Sequence, residues 1–318
     1  MSGRPDPPDR LAGEVDAAAF ALDRRALARA FDRAAGGYEA AAWLQRLARA
    51  ELIERLQYFS LQPQTVLDAG AGTCQAAGEL ARRYPRARVL ALDLAAGMLA
   101  AAPHRRWPRR PIDRVCADAH ALPLADRSVD LIYSSLMLQW SDRPDRLFVE
   151  LARVLRPGGL LAFASFGPDS LCELRDAWRQ ADRGVHVSEF PDMPQLGAAL
   201  MHAGFIEPVL DAEQHRRDYP DVEALMRELK RIGAHNAAAA RARGLTGRAR
   251  MRSMREAYER SRTASGLPAT FQLLFGVAFR GSGDSGRGSG HDDGAAAGTL
   301  PRGEYAVPVS QLRRKGRS

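Results

Sequence analysis

The sequence contains little lysine, little cysteine and no long apolar run. Lys230 and Lys315 are its only lysines, so the net charge of +8 comes almost entirely from arginine. The cysteines Cys74, Cys116 and Cys172 form no C-x-x-C pair, which argues against structural disulfides and a zinc site. No segment approaches the ~20 apolar residues of a membrane helix, and the N-terminus lacks a signal-peptide core. These absences predict a cytoplasmic protein that does not enter a membrane.

The arginine excess has two interpretations. Codon bias in a GC-rich genome would produce it without any function. Alternatively, a positive field attracts an acidic partner, and arginines do cluster within residues 105–110 and 241–262. Nucleic acid is disfavoured as that partner, because neither interleaved aromatic residues nor a recognised binding module accompanies the clusters.

The chain is predicted to fold as one domain over residues 14–280. Residues 1–13 are rich in proline, glycine and charge and are predicted to form a flexible tail. Residues 281–318 begin with the low-complexity run GSGDSGRGSG, end in RRKGRS, and are predicted to form a disordered basic tail. Within the domain, residues 212–268 have a helical pattern, which predicts a helical lid inserted before the last strand.

Short apolar runs alternate with segments of helical period along the domain. This alternation predicts an α/β fold with a seven-stranded, mostly parallel, doubly wound sheet. The predicted strands are Thr65–Asp68, Arg88–Asp93, Ile112–Ala117, Val129–Ser134, Leu160–Phe166, Glu207–Asp211 and Phe271–Phe279.

A glycine-containing turn, VLDAGAGTC, follows the first predicted strand at residues 66–74. Gly70 and Gly72 let the backbone approach a ligand closely, and the helix that follows directs free N–H groups at it. The third glycine of a dinucleotide-binding G-x-G-x-x-G is missing, because Gln75 stands in its place. Asp68 at the end of the strand would repel a pyrophosphate, but it suits a cationic amino group.

Three aspartates follow three successive predicted strands. Besides Asp68, Asp93 lies about 20 residues beyond the loop, where a carboxylate binds ribose hydroxyls. Asp118 follows the third strand and is placed to accept from the amino group of an adenine. The carboxyl ends of parallel strands meet at one crevice, so the set predicts a site for a nucleoside with a charged amino-acid tail. S-adenosylmethionine (SAM) is such a molecule.

Four segments resemble the successive signature motifs of class I SAM-dependent methyltransferases. They are VLDAGAGTC, LALDLAAGML, ADAHALPLADRSVDLIYSSLMLQW and ELARVLRPGGLLAFASF, although the family usually has glycine where this chain has Cys74. The resemblance implies a Rossmann-like fold, SAM as methyl donor and S-adenosylhomocysteine as product. The cofactor-binding residues expected on this basis are Tyr38, Gln45, Asp68, Gly70, Gly72, Asp93, Met98, Asp118, Ala119 and Ser134.

Further segments resemble the malonyl-[acyl-carrier protein] O-methyltransferases of biotin synthesis. They are FDRAAGGYEAAAWLQ, FASFGPDSLCELRDAW, LMRELKRIGAHN and LPATFQLLFGVAFR. The resemblance implies methyl transfer to the free carboxylate of malonyl-acyl-carrier protein or malonyl-CoA. An acid with an ordinary pKa of ~4 is already ionised at neutral pH, so no general base is expected.

Three residues are expected to position the reactants. Tyr38 is spaced seven residues from both Phe31 and Gln45, which would share a face of a continuous helix, and it is expected to contact the methionine part of SAM. Gln139 and Trp140 follow the fourth strand. Gln139 is expected to order the substrate carboxylate, and Trp140 either belongs to the core or faces the sulfonium with its ring.

The substrate carboxylate calls for a cation or several N–H donors. The expected ligands are Arg175, Lys230 and Arg231. His186 and His235 are further donors, although single histidines usually have structural roles. The scattered histidines show no H-x-H or H-E-x-x-H spacing, so no metal is expected. A basic rim that attracts the acidic carrier protein is expected at Arg241, Arg243, Arg248, Arg250 and Arg252.

Three alternatives remain open. The segments FGPDSLCELR and LPATFQ also resemble a mitochondrial complex I assembly factor that hydroxylates an arginine of a protein subunit. A second alternative is another small-molecule methyltransferase, acting on aconitate or a quinone precursor. The third is a non-catalytic SAM-binding or scaffold protein, for which Cys74 in the glycine loop is the only hint.

Overall fold

The structure, a computed structural model, describes residues 22–102, 111–182, 184, 186–187, 189–233 and 247–282. The predicted tail at 1–13 lies outside this range, as does all but the start of the tail at 281–318. His235, Arg241, Arg243 and the arginine cluster near residue 105 are also outside it.

The described chain alternates strands and helices in the predicted order. The strands are β1 Thr65–Ala69, β2 Arg88–Asp93, β3 Asp113–Cys116, β4 Val129–Ser135, β5 Leu155–Phe166, β6 Phe205–Tyr219 and β7 Leu267–Arg280. The helices are α1 Arg24–Ala34, α2 Tyr38–Ala41, α3 Trp43–Arg55, α4 Gln75–Arg83, α5 Ala96–Ala100, α6 Pro144–Val154, α7 Cys172–Ala181, α8 Met193–His202, α9 Val222–Arg231 and α10 Arg248–Glu259. None of these helices combines the length and the apolarity needed to cross a membrane.

The strands form one sheet of seven strands in the order β3-β2-β1-β4-β5-β7-β6. Strands β1 to β5 are parallel, whereas β7 pairs antiparallel with both β5 and β6. The strand order reverses between β1 and β4, so the carboxyl ends of these two strands open the crevice in which an α/β sheet binds its ligand. The predicted Rossmann-like class I methyltransferase fold is confirmed.

Two hydrophobic clusters cover the two faces of the sheet. On one face α3, α4, α7, α9 and α10 bury side chains such as Leu52, Leu80 and Tyr258. On the other face α6 and α8 bury Phe148 and Leu200. Because both faces are covered, the central strands are apolar throughout, which made them easy to predict from the sequence.

The two antiparallel strands are longer than predicted. Strand β6 continues beyond the predicted end at Asp211 to Tyr219, and β7 begins at Leu267 rather than Phe271. Because β6 is an edge strand with one neighbour, its second half is polar and partly exposed, yet its backbone pairs with β7 as far as Tyr219. Helices of the predicted lid therefore begin only at Val222, and the extent of the lid at 212–268 stays a prediction.

Candidate active site

A cavity lies over the carboxyl ends of β1, β2 and β4, and it is called cavity 1 below. It is also closed by α1 and α2 from the N-terminal segment. The expected site residues that line it are Tyr38, Gln45, Gly70, Gly72, Asp93, Met98, Asp118, Ala119, Gln139 and Trp140. The sequence motifs and the N-terminal segment thus meet at one place, as expected from the topology.

The glycine loop is held tightly against β2 and leaves no room for side chains. The N–H groups of Gly70 and Ala71 both donate to the Leu92 carbonyl oxygen, at 2.8 and 2.9 Å. Gly70 has φ +78°, and a Cβ there would lie 2.5 Å from the Met137 side chain. Cys74, which replaces the usual glycine, also has a positive φ of 59° and is fully buried. Its backbone adopts the left-handed conformation that glycine favours, so the loop keeps its path.

Asp68 carries a buried carboxylate that lacks a full set of partners. It lines a small cavity that Tyr38, Gly70 and Gly72 also line, and its Oδ2 atom is buried without any hydrogen-bond partner. Burial raises the pKa of Asp68 to about 7. A hydrogen bond from the Ala77 N–H lowers this pKa, whereas the negative charge of Asp93 raises it further. An unpaired buried carboxylate is costly, and a cationic ligand would supply the missing partner.

Asp93 ends β2 and connects that strand to the glycine loop. Its two oxygens accept from the N–H groups of Gly72 and Ala95, both at 2.8 Å. Burial raises the pKa of this carboxyl although both N–H groups favour its ionised form. The two backbone bonds fix the carboxylate at the wall of cavity 1, where a ribose would lie.

Asp118 is ion-paired with a residue that sequence reasoning missed. Arg24, at the start of α1, contacts the Asp118 carboxylate directly and lies 3.5 Å from Asp142. The backbone N–H and Nδ1 of His120 also contact Asp118, each at 2.9 Å. Burial opposes ionisation, but His120 and Arg24 together hold the pKa of Asp118 below its ordinary value. Arg24 precedes every recognised motif, so no sequence pattern indicated this contact.

The N-terminal segment closes cavity 1 through contacts on both sides. Asp32 accepts from the Gly97 N–H at 2.7 Å, and the Phe31 ring meets Trp140 edge-on at 5.4 Å. Tyr38 follows a short 3-10 turn that breaks the expected continuous helix. Burial raises the pKa of the Tyr38 hydroxyl far above its ordinary value, so this hydroxyl stays protonated and can donate.

A second cavity, called cavity 2, adjoins cavity 1. The residues that line both are Gln45, Gln139, Trp140, Phe166 and Ile232. Cavity 2 extends from this shared wall to α3, α7 and α9, and most of its lining is apolar. The Gln139 side chain donates to the Leu136 carbonyl oxygen at 2.6 Å, and its own Oε1 is buried without a partner. The shared wall therefore presents amide and aromatic groups to both cavities.

Glu228 of α9 joins three segments at the far wall of cavity 2. Its Oε1 accepts from the Trp43 indole at 2.6 Å and from the Tyr219 hydroxyl at 2.7 Å. Its Oε2 lies 3.4 Å from the Arg217 guanidinium. These bonds tie the N-terminal helix α3, the end of β6 and the helical insertion together.

Five expected site residues do not line cavity 1 or cavity 2. Asp68 lines the small cavity described above, and the other four line none of these three cavities. Ser134 is fully buried and donates to the Ala69 carbonyl oxygen at 2.9 Å, while the neighbouring Ser135 lines cavity 1. Arg175 donates to backbone carbonyls that follow β5. Lys230 and Arg231 are exposed at the end of α9. The structure thus offers no support for these cations as ligands of the substrate carboxylate.

The expected basic rim is partly described. Arg248, Arg250 and Arg252 are exposed on α10, and Arg250 lies 3.8 Å from Asp182. Within the described ranges no group of three potential metal ligands converges. The expectation that no metal is bound stays a prediction.

The residues of cavity 1 fit SAM. The unpartnered Oδ2 of Asp68, in the small cavity next to cavity 1, suits the ammonium group of a zwitterion, and Gly70 and Gly72 expose loop backbone to cavity 1. Asp93 and Asp118 both line cavity 1, where their carboxylates can accept from hydroxyl and amino groups. The pairing of Asp118 with Arg24 means that an adenine amino group has to share or displace that contact.

Comparisons with known proteins agree with this geometry. The sequence profile of a family described as "Methyltransferase domain" matches residues 67–163. A malonyl-[acyl-carrier protein] O-methyltransferase of Methylovorus sp. (strain MP688) is 46% identical over 274 residues, which is 84% of this chain and 92% of the relative. The enzyme of the same name from Gallionella capsiferriformans (strain ES-2) is 44% identical and covers 82% of this chain and 92% of itself.

Solved structures share the fold at low identity. The YcgJ protein of Bacillus subtilis superimposes with a TM-score of 0.53 and 17% identity, over 75% of this chain and 100% of that one. This likeness extends to the architecture alone, whereas the two malonyl-[acyl-carrier protein] O-methyltransferases match more than four fifths of this chain at 44–46% identity. On the strength of that match, the chain belongs to the malonyl-[acyl-carrier protein] O-methyltransferase family.

Proposed function

We propose that this protein transfers the methyl group of SAM to the free carboxylate of a malonyl thioester on acyl-carrier protein, in biotin synthesis. The observation that carries the proposal is the pair of adjoining cavities. Cavity 1 shares Tyr38, Gly70 and Gly72 with the small cavity that the unpartnered Asp68 carboxylate lines. Cavity 2 is mostly apolar and meets cavity 1 at the shared wall. A donor molecule and an acyl acceptor would each have a chamber of their own.

The strand-end residues hold the donor in this proposal. Asp68 binds the ammonium group, Asp93 the ribose hydroxyls, and Asp118 the adenine amino group. Gly70 and Gly72 let the loop backbone lie against the amino-acid part, and Tyr38 donates to it from the covering segment. When bound, SAM supplies an electrophilic methyl group on a sulfonium.

Among the residues that the structure describes, the shared wall contains no side chain that could act as a general base. Its members are two glutamines, a tryptophan, a phenylalanine and an isoleucine. A substrate carboxylate is already ionised at neutral pH, so it can attack without losing a proton. Gln139 and Trp140 would hold the attacking oxygen in line with the methyl group and exclude water, which is enough for this reaction type.

The acceptor is carried by a protein rather than by free CoA in this proposal. The relatives are named for the acyl-carrier protein, and the exposed arginines of α10 offer positive charge to an acidic carrier. Malonyl-CoA has the same acyl head and remains the second candidate for the acceptor.

The test is mass spectrometry of malonyl-acyl-carrier protein after incubation with the full-length protein and SAM. We expect the acyl group to gain the mass of one methylene, and we expect acetyl-acyl-carrier protein to gain nothing. Asp68→Asn serves as the matched variant, and it should abolish the gain at limiting SAM. No methylated product, together with normal SAM binding, would refute the proposed acceptor and favour the arginine hydroxylase or another small-molecule methyltransferase.

A further inference from the structure

Cavity 2 offers very few groups that could recognise a carboxylate. Among its described lining residues only His186 and Glu228 are titratable. Glu228 already accepts from Trp43 and Tyr219, and its negative charge repels a second carboxylate. A carboxylate that enters an apolar chamber requires a cation or strong donors. Gln45 and Gln139 of the shared wall are neutral donors, and His186 is the one described lining residue that can carry a positive charge.

The imidazole of His186 is fixed by two neighbours. Its ring stacks face to face on Trp178, with 3.7 Å between the ring centroids and 12° between the planes. Its Nε2 atom lies 2.8 Å from Oδ1 of Asp182, whose side chain is only 15% exposed. Across the described ranges, Nδ1 of His186 has no hydrogen-bond partner. A histidine held in this way presents one defined nitrogen to a ligand.

The contact with Asp182 also decides what Nδ1 can do. Burial disfavours the charged form of Asp182, but the Gly184 N–H, His186 and Arg250 together hold its pKa below the ordinary value. The ionised carboxylate requires a proton on Nε2, so Nδ1 donates only when the ring is an imidazolium. A ligand carboxylate at Nδ1 stabilises that cation from the other side. The charged groups around the ring are Asp182, Arg250 behind Asp182, and Glu228 across the cavity.

We propose that His186 recognises the acyl substrate by donating from Nδ1 to the carboxylate oxygen that is not methylated, with Asp182 as the positioning residue. This inference rests on the proposed function, because it places a malonyl thioester in cavity 2. Glu228 on the far wall repels the carboxylate toward the wall shared with cavity 1. His186 thereby takes the role that the sequence suggested for Arg175, Lys230 and Arg231.

Two substitutions of His186 separate recognition from a purely structural role. His186→Gln places an amide nitrogen near the Nε2 position, so it can keep the bond to Asp182 while losing the donor at Nδ1. His186→Asn places its amide near Nδ1 and loses the bond to Asp182. If the ring only supports the loop, Gln is the milder change, whereas recognition of a carboxylate makes Asn the milder change.

The experiment measures KM for malonyl-acyl-carrier protein and the inhibition constant of acetyl-acyl-carrier protein, which has no carboxylate. For His186→Gln we expect KM to rise at least about tenfold, because a hydrogen bond to a charged group is lost. The acetyl inhibition constant and the Kd for SAM should stay within about twofold of the wild-type values, since those ligands do not contact Nδ1. Asp182→Asn should raise the same KM by a smaller factor. His202→Gln, at an exposed histidine on α8 outside both cavities, is the matched control and should change nothing.

The outcomes distinguish this inference from the proposed function. If the wild-type protein binds SAM but does not methylate malonyl-acyl-carrier protein, the proposed function fails, whatever the variants do. If the wild type methylates it and His186→Gln keeps the wild-type ratio of malonyl KM to acetyl inhibition constant, the role of His186 is overturned. A larger loss in His186→Asn than in His186→Gln would overturn it too.

Discussion

Removing the charge of Asp68 should weaken the cofactor site and stabilise the free protein at the same time. The carboxylate is buried, its Oδ2 has no partner, and burial raises its pKa to about 7. In the unfolded chain an aspartate has a pKa of about 3.9. A pKa that is raised on folding contributes stability below the unfolded value, and this contribution is lost as the pH rises toward the folded value.

The size of this effect follows from the pKa difference. One unit corresponds to about 1.4 kcal/mol, so between about pH 5 and pH 7 the wild type should lose ~2–3 kcal/mol of unfolding free energy through Asp68. The Asp68→Asn variant has no titrating carboxyl group at this position, so it cannot show this pH-dependent loss of unfolding free energy. The difference between the two proteins cancels all other titrating groups except Asp93, whose charge is coupled to Asp68.

The assay compares urea unfolding of wild type and Asp68→Asn at several pH values, and calorimetric titration of both with SAM. We expect the variant to gain stability relative to the wild type as the pH rises from about 4 to about 7, and this difference should level off above about pH 7. We also expect the wild-type affinity for SAM to increase up to tenfold per pH unit below about pH 7 and then to level off, with no such dependence in the variant. A flat stability difference, or equal SAM affinities at every pH, would refute the assignment of Asp68 to the ammonium group.

Three further predictions test the rest of the site. Gly70→Ala should weaken SAM binding at least about tenfold, because a Cβ at 2.5 Å from Met137 displaces the loop; unchanged calorimetry would contradict this. Arg24→Gln should raise the affinity for SAM about two- to fivefold in calorimetry, because the adenine amino group no longer has to displace a partly exposed ion pair from Asp118; unchanged or weaker binding would contradict that competition. Iodoacetamide should modify the exposed Cys116 but not Cys74 in the native protein, because burial raises the pKa of Cys74 to about 12. Modified Cys74 in peptide mass spectrometry would contradict this and show that the loop opens.

The parts of the fold that follow from local pattern could be predicted from the sequence. Strands β1, β2 and β4 are buried on both faces and read as apolar runs, and Asp68 near the end of β1 and Asp93 at the end of β2 mark the crevice directly. Gly70 and Gly72 signal the tight turn by residue type alone. The lengths of β6 and β7 could not be predicted, because the polar half of β6 becomes a strand only through its pairing with β7.

Contacts between distant segments explain what the sequence did not reveal. Arg24 reaches Asp118 across 94 positions of the chain, and nothing near either residue announces the pair. His186 was named from the sequence as a further donor, but its stacking on Trp178 and its bond to Asp182 depend on the folded loop and could not be read from the pattern. Arg175 was a reasonable ligand by charge, but backbone carbonyls at Pro168 and Ser170 occupy its guanidinium.

The junction at Glu228 has a thermodynamic consequence for the order of events. It connects Trp43, on the N-terminal segment next to cavity 1, with Tyr219 and with helix α9, which lines cavity 2. We expect the first ligand that binds to rigidify this junction, so that the second ligand has a smaller loss of conformational entropy on binding. Each ligand should therefore tighten the other by an identical factor, because such linkage is reciprocal.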